Sequence, residues 1–426
     1  MSDTMVHPDF PMIRPVPYMG VIWVVHEASK LGFVNGHPEW CNLGQGQPEV
    51  GDMEGAPPRI GSVSIMPTDQ AYGPLGGSKE VRDAIAQTYN RLFRRGMKSQ
   101  YTADNISFVN GGRLALTRLF AALADGSRVL YKSPDYTAYE DDLAYHKGRL
   151  TLIPVMAGEA QGFSLPPEQL EEYVRRQKAD AYIFSNPCNP TGDVVMGDDL
   201  ARYVDLSRKT RCLLGCDEFY SHFIYNADGS PADGPVSAAA YVEDVEKDPV
   251  LVVDGLTKSH RYPGWRGGWI AGPSHCIEMI NRAASALDGG PSLMVQRAAL
   301  EALEPSRYDQ ETAAVRNGFA KKRNLMLEKL RAMGIVPAME PRGTFYIWAS
   351  IRDLPAPLND GDAFFHACLQ KKVMTVPGRF FDIRPLGVRE IQEPFNSWMR
   401  FSYGPPESVV ATGLERMAEV INAARR

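Results

Sequence analysis

Val250-Leu251-Val252-Val253 is an apolar run that continues through Asp254-Gly255-Leu256 to Thr257-Lys258-Ser259. A lysine at the end of a buried strand is partly stripped of water, and its pKa then falls. The neutral amine is the form that attacks a carbonyl. Taken alone, a lysine reaching from a loop into water is the commoner case. Shortly downstream, Pro263-Gly264-Trp265-Arg266-Gly267-Gly268 sets an arginine among glycines. Glycines let a backbone approach a ligand closely, and the arginine fork suits phosphate. Upstream, Cys216-Asp217-Glu218-Phe219-Tyr220 offers carboxylates and a phenol after another apolar run. Either acid could instead cap a helix.

Two further segments carry donors. Ser185-Asn186-Pro187-Cys188-Asn189-Pro190-Thr191-Gly192 is by itself a turn signal. Val109-Asn110-Gly111-Gly112-Arg113-Leu114 opens a helix whose free N–H groups form an anion site, or else is a plain glycine-rich start. Together these segments supply an amine, a carboxylate, a tyrosine, an asparagine and an anion cradle. That is the equipment for pyridoxal 5'-phosphate, whose aldehyde, ring nitrogen and phosphate each need one of these partners.

Such residues converge only if strands bring their ends to one edge. The runs 128–131, 150–155, 181–184, 212–216, 250–253 and 269–271 are continuously apolar, as parallel strands covered on both faces require. Helical stretches at 166–178 and 198–209 alternate with them, which predicts an α/β unit with a mainly parallel sheet. In an open α/β sheet, ligands bind beyond the strands' carboxyl ends. The rest reads differently. A long helix is expected over about 307–333, then a strand at 345–348, a helix near 362–371, and a last helix after Pro405-Pro406 with Val410, Leu414, Met417 and Ile421 on one face. The expected division is an N-terminal arm or part of a small domain over 1–46, a large α/β domain over 47–300 and a smaller α+β domain over 301–426.

The ordered motifs resemble the fold-type-I aminotransferases of class I/II over nearly the whole chain. The carriers are Asn42-Leu43-Gly44-Gln45-Gly46-Gln47-Pro48, Tyr72-Gly73 with Gly76, Gly111-Gly112-Arg113, Pro134-Asp135-Tyr136, Asn189-Pro190-Thr191-Gly192, Asp217-Glu218-Phe219-Tyr220, Thr257-Lys258, Gly264-Trp265-Arg266-Gly267-Gly268 and Met399-Arg400-Phe401-Ser402. The resemblance implies a seven-stranded-type large-domain sheet and pyridoxal phosphate carried on Lys258. It also implies that Asp217 pairs with the ring nitrogen, Tyr220 and Asn189 hydrogen-bond the ring oxygen, and Tyr136 stacks on the ring. Gly111, Gly112, Arg113, Thr257 and Arg266 then hold the phosphate. Arg400, with Asn189 and Gly46, receives the substrate amino acid. Tyr72 and Ser292 reach a neighbouring subunit's phosphate, so a homodimer is expected. The N-terminal stretch 17–22 lines the pocket in such enzymes. The reaction implied is amino transfer from an α-amino acid to a 2-oxo acid.

Two departures stand out. Gly255 replaces a hydroxyl residue common before the lysine, so a phosphate contact is missing. His260 and Arg261 replace an aromatic and a small residue, and either tune the substrate pocket or lie in a solvated loop. The stretch 226–249 reads as a surface excursion. No clear second arginine stands near 285–292, which disfavours an acidic substrate side chain.

The 426 residues carry 46 Lys plus Arg against 51 Asp plus Glu, with 44% hydrophobic and 23% charged residues. This composition excludes wholesale disorder and argues against a protein built for nucleic acid. No apolar run spans a bilayer and the start lacks a secretory pattern, so a cytoplasmic location is expected. Six scattered cysteines form neither a disulfide framework nor a zinc motif, and no metal is expected. Elimination, decarboxylation, racemisation and oxidation on the same scaffold remain open, as does a non-catalytic ligand-binding role.

Overall fold

The computed structural model describes residues 9–13, 16, 18–387 and 394–426. Residues 1–8, on which the reading about a secretory signal rests, lie outside them. The first half contains α1 (Gly20–Ser29), β1 (Cys41–Asn42), α2 (Lys79–Phe93), β2 (Ile106–Val109), α3 (Gly112–Ala122), β3 (Arg128–Ser133), α4 (Ala138–His146) and β4 (Thr151–Met156). Then come α5 (Pro167–Gln177), β5 (Ala181–Ser185), α6 (Asp198–Thr210), β6 (Leu213–Asp217), β7 (Val250–Gly255), β8 (Gly268–Ala271), α7 (Ser274–Leu287) and α8 (Leu293–Ala302). The last part holds α9 (Pro305–Ala332), β9 (Val336–Pro337), β10 (Tyr346–Ser350), α10 (Gly361–Gln370), β11 (Val373–Met374), β12 (Val376–Pro377), β13 (Trp398–Ser402) and α11 (Glu407–Ala424).

Seven strands form one sheet in the order β2-β8-β7-β6-β5-β3-β4. The pairs from β7 to β4 are parallel, whereas β8 runs against both of its neighbours. This is the α/β architecture with a mainly parallel sheet that the apolar runs predict. Burial of every residue of β5, β7 and β8 explains why these strands read as continuous apolar runs, whereas β2, equally buried but only four residues long and interrupted by Ser107, is a strand beyond those expected. A second sheet, β12-β13-β10-β9, is antiparallel. Cys41–Asn42 pairs in parallel with Val373–Met374, so the N-terminal segment is woven into the same end of the molecule.

The direction of β8 decides where Arg266 goes. Val109, Gly255 and Gly268 lie side by side in register, and so do Ser185 and Asp217. The carboxyl ends of β2, β5, β6 and β7 and the amino end of β8 therefore meet at one edge.

Two expectations are corrected. The stretch 226–249 is not a surface excursion: Ala238, Ala239, Val242 and Val245 are buried, and Arg94 donates to the Ala239 and Val242 carbonyls. His260 and Arg261 neither line the pocket nor lie in solvent. Both are buried, and the Arg261 Nε donates to Glu311 at 2.7 Å. Arg59 reaches the same carboxylate at 2.9 Å, donates to the His260 and Arg261 carbonyls, and covers the Tyr262 ring. One buried carboxylate on α9 thus anchors the loop that follows Lys258.

Removing one member of a buried ion cluster leaves its partners charged and unpaired, at a cost of about 3–5 kcal/mol. Glu311→Gln is expected to lose about 3 kcal/mol in urea unfolding followed by tryptophan fluorescence. A loss below about 0.5 kcal/mol would show that the cluster adds nothing beyond a surface pair.

Candidate active site

At the shared edge of the sheet lies a cavity of about 580 Å³. Gly46, Gly112, Arg113, Tyr136, Asn189, Asp217, Tyr220, Thr257, Lys258, Arg266 and Arg400 all line it. So do Met19, Val21 and Ile22 of the N-terminal stretch, while Pro17 lies outside the described residues. Gly111 stands behind the lining, with a φ of +88° that favours glycine. A Cβ there would sit 2.6 Å from the Arg266 guanidinium, so Arg266 lies directly over this turn.

Lys258 emerges from the loop after β7, and its Nζ donates to the Gly46 carbonyl. Its amine pKa is lowered to about 7. Loss of water is the main cause and the charge of Arg400 adds to it, while Asp217 opposes. Asp217 ends β6, and its pKa is raised to about 7. Burial dominates and the nearby Asp135 adds, against a hydrogen bond from Tyr139 and the charge of Lys258. The Tyr139 hydroxyl donates to Asp217 Oδ2 at 3.1 Å.

Tyr220 shares a 2.8 Å hydrogen bond with the Tyr346 hydroxyl, and its ring centroid is 5.8 Å from Lys258 Nζ. Arg400 is buried. Its Nη1 donates to Asn189 Oδ1 at 3.0 Å, and its Nη2 donates to the Gly44 carbonyl at 2.7 Å. The amide of Asn189 therefore turns its oxygen to the arginine and keeps its NH2 for another acceptor. The Arg400 guanidinium lies 4.1 Å from the Tyr346 ring centroid, and its Nε is buried without a partner. Among the described residues no carboxylate pairs with Arg400. A buried cation held only by neutral acceptors is costly until an anion joins it.

The donor set fits pyridoxal phosphate. The first turn of α3 leaves its N–H groups free, and no side chain caps it. The Thr257 hydroxyl is buried with no partner, and Arg266 approaches from β8. Together they make an oxyanion cradle. The amine of Lys258 and the acid of Asp217 share the cavity with this cradle, as a carbonyl and a ring nitrogen would require.

The missing hydroxyl at Gly255 has a steric cause. A Cβ at that position would stand 2.6 Å from the Gly267 carbonyl, 2.7 Å from the Gly268 Cα and 2.9 Å from the Phe219 ring. Phe219 also fills the space beside Gly112, where a Cβ would meet its ring at 2.5 Å. The packing role of Phe219, and Tyr139 and Tyr346 altogether, escape the motif analysis. Tyr139 lies in the first turn of α4, and its ring meets that of Tyr136, just before the helix, at 5.7 Å. Tyr346 begins the strand that pairs Trp348 with Arg400.

Tyr72 and Ser292 do not line this cavity. Tyr72 is fully exposed, and Ser292 caps α8 by accepting from the Val295 N–H. The structure does bring their segments together, because a Cβ on Gly73 would touch Leu293 and one on Gly290 would touch the Gly73 carbonyl.

Residues 38–417 match the family model for aminotransferase class I and II. The chain is similar to an aspartate/prephenate aminotransferase of Cereibacter sphaeroides, with 29% identity over 90% of this chain and 92% of that protein. It is 27% identical to an aspartate aminotransferase of Pyrococcus abyssi, over 82% and 84% of the two chains. In fold it matches the aspartate aminotransferase from Thermus thermophilus with maleate, with a TM-score of 0.76, 24% identity and coverage of 95% and 97%. With its sheet edge, its cradle and a family match spanning most of its length, this chain belongs to the class I and II aminotransferases, which are pyridoxal-phosphate enzymes.

Proposed function

We propose that Lys258 carries the cofactor and moves the substrate proton, and that Arg400 grips the α-carboxylate of the amino acid. What carries this reading is the pairing, in one cavity, of a desolvated amine with a buried arginine that has no acid of its own. Bound pyridoxal phosphate supplies an electrophilic carbon and a protonated ring that accepts the electron pair left at Cα.

The chain's residues do the rest. Asp217, ionised beside a cationic ring nitrogen, holds the ring proton in place, and the Tyr139 hydroxyl steadies that carboxylate. Tyr220 and the Asn189 NH2 donate to the ring oxygen. Tyr136 covers one face of the ring. The N–H groups of Gly112 and Arg113, the Thr257 hydroxyl and Arg266 hold the phosphate, with Gly111 permitting the turn. Arg400 binds the carboxylate through its planar fork and, with Asn189 and Gly46 beside it, orients the Cα–H bond toward Lys258. The Lys258 amine, neutral above pH 7, is placed to take the Cα proton.

On the side-chain end, Met19, Val21, Ile22 and Val25 are apolar, and Asn35, Asn42, Gln45 and Gln47 are neutral amides. Among the described residues no arginine besides Arg113, Arg266 and Arg400 lines the cavity. This favours a neutral over an acidic substrate side chain, although similar proteins are named for aspartate. A homodimer completes the site in this reading. Its support is the stretch around Val63, Ile65, Met66 and Tyr72, whose side chains are exposed, as is Met294, next to the Leu293 that meets Gly73. The enzyme acts in the cytoplasm in this reading. No helix of the described residues is long and apolar enough to cross a membrane.

Amino transfer needs an acceptor. With an α-amino acid and a 2-oxo acid, the purified enzyme is expected to make a new amino acid one-for-one with the oxo acid consumed. Turnover is expected to stop after one half-reaction per active site when the acceptor is omitted. Sustained release of ammonia or carbon dioxide without an acceptor would contradict this.

The lowered pKa of Lys258 has a signed consequence. Its amine is protonated below pH 7 and neutral above it. Uptake of pyridoxal phosphate by the apoprotein, followed by absorbance, is expected to quicken through pH 7 and level off near pH 8. A rate still climbing toward pH 10, as for an ordinary lysine, would contradict the assignment.

A further inference from the structure

A second cavity of about 480 Å³ lies on the chain away from the lysine. Its walls include Arg91, Arg95 and Arg316, with His222, Asp233 and Asp309. None of these residues lines the catalytic cavity. Three guanidinium groups face two carboxylates, an excess of one positive charge.

The pairing is more lopsided than the count. Asp309 is taken by Arg91, whose Nη1 donates to its two oxygens at 2.9 and 2.8 Å. The other nitrogen of Arg91, Nη2, is buried and has no acceptor. Arg316 has no carboxylate within ion-pair distance among the described residues. Its Nη1 instead points at the His222 Nδ1, 3.4 Å away. A guanidinium can only donate, so Nδ1 must accept, and the ring proton sits on Nε2. From there His222 donates to the Tyr308 hydroxyl at 2.7 Å. Burial drives the His222 pKa well down, so the ring stays neutral and adds no charge of its own. Burial also lowers the Arg316 pKa, and the charges of Asp309 and Asp233 nearby only partly oppose that shift. Arg95 is exposed and likewise has no acid partner among the described residues. Asp233 is exposed, so its charge is well hydrated.

We propose that this cavity is a non-catalytic binding site for a small oxyanion of carboxylate or phosphate type, gripped by Arg95 and Arg316, with the charge of Arg91 beside them. Each of the two gripping guanidinium groups offers the fork that such oxygens accept. The site sits directly behind the catalytic loops. His222 follows Tyr220 by two residues, and the Tyr308 ring packs 4.6 Å from that of His260, two residues after Lys258. An anion that draws Arg316 off His222 would therefore act on the His222–Tyr308 hydrogen bond, which begins two residues from Tyr220 and reaches the lysine loop through the packing of Tyr308 on His260.

The test is calorimetric titration of the cofactor-loaded enzyme with inorganic phosphate, and separately with malonate, at fixed ionic strength. Wild type is compared with Arg95→Met and Arg316→Met. At least one probe is expected to bind saturably to wild type. Each variant is expected to weaken that binding tenfold or more, the loss of about one charge-assisted hydrogen bond, while the cofactor's visible absorbance is unchanged. Phosphate alone binding assigns a phosphate-type ligand, and malonate alone a carboxylate-type one. Absence of saturable binding by either probe, or affinities unaltered by both substitutions, overturns the proposal. Arg95 is exposed, so Arg95→Met decides the matter if Arg316→Met does not fold. Neither residue touches Lys258 or Arg400, so the result stands apart from the roles given to those two.

Discussion

An amine and a carboxylic acid, both taken out of water at one sheet edge, set the terms for the rest of this enzyme. Desolvation disfavours either charge, so Lys258 falls and Asp217 rises until both titrate near neutrality. Neither group gains from that burial by itself. A cationic ring nitrogen beside Asp217 and a carbonyl beside Lys258 would relieve both. The unpaired Arg400 and the orphaned Thr257 hydroxyl express the same demand for anions. The cavity is thus a set of unmet partners, and pyridoxal phosphate with an amino acid would meet them together in the reading proposed above.

The scaffold serves that arrangement through a few constraints. The reversed strand β8 returns Arg266 to the edge where β2 and β7 end. Gly255 is packed too closely for a side chain and Gly268 meets backbone at 3.2 Å where a Cβ would stand, which brings the lysine strand and the arginine strand together. Glu311 then fixes the loop behind the lysine through Arg261 and Arg59. The missing hydroxyl at 255 follows from this crowding and from the Phe219 ring, so it reflects packing within the scaffold.

Much of this was legible in the chain. Strands buried on both faces announce themselves as apolar runs, and Ala181–Ser185, Leu213–Asp217 and Val250–Gly255 lie within a residue or two of their expected places. The long helix Pro305–Ala332 is similarly clear, because its apolar residues recur at helical spacing. Ile106–Val109 was missed as a strand, and β8 gave no sign of running backward, since strand direction is set by partners far away in sequence. The contacts that complete the site were hidden for the same reason. Tyr139 reaches Asp217 across 78 residues, and Tyr220 meets Tyr346 across 126. His260 and Arg261 looked like pocket or loop residues because what they meet lies far along the chain: Tyr308 packs on the His260 ring, and Glu311, the partner of Arg261, sits 50 residues beyond it. The segment 226–249 is polar in composition, yet its small apolar residues are buried, with Arg94 holding its carbonyls.

The central claim is that a single primary amine, that of Lys258, bears the coenzyme. Borohydride reduction of the loaded enzyme, followed by protease digestion and mass mapping, tests it directly. The account predicts one modified lysine, in the peptide containing Lys258, with the yellow colour bleached in proportion. Modification at another lysine, or an unmodified Lys258 in fully loaded protein, would contradict it.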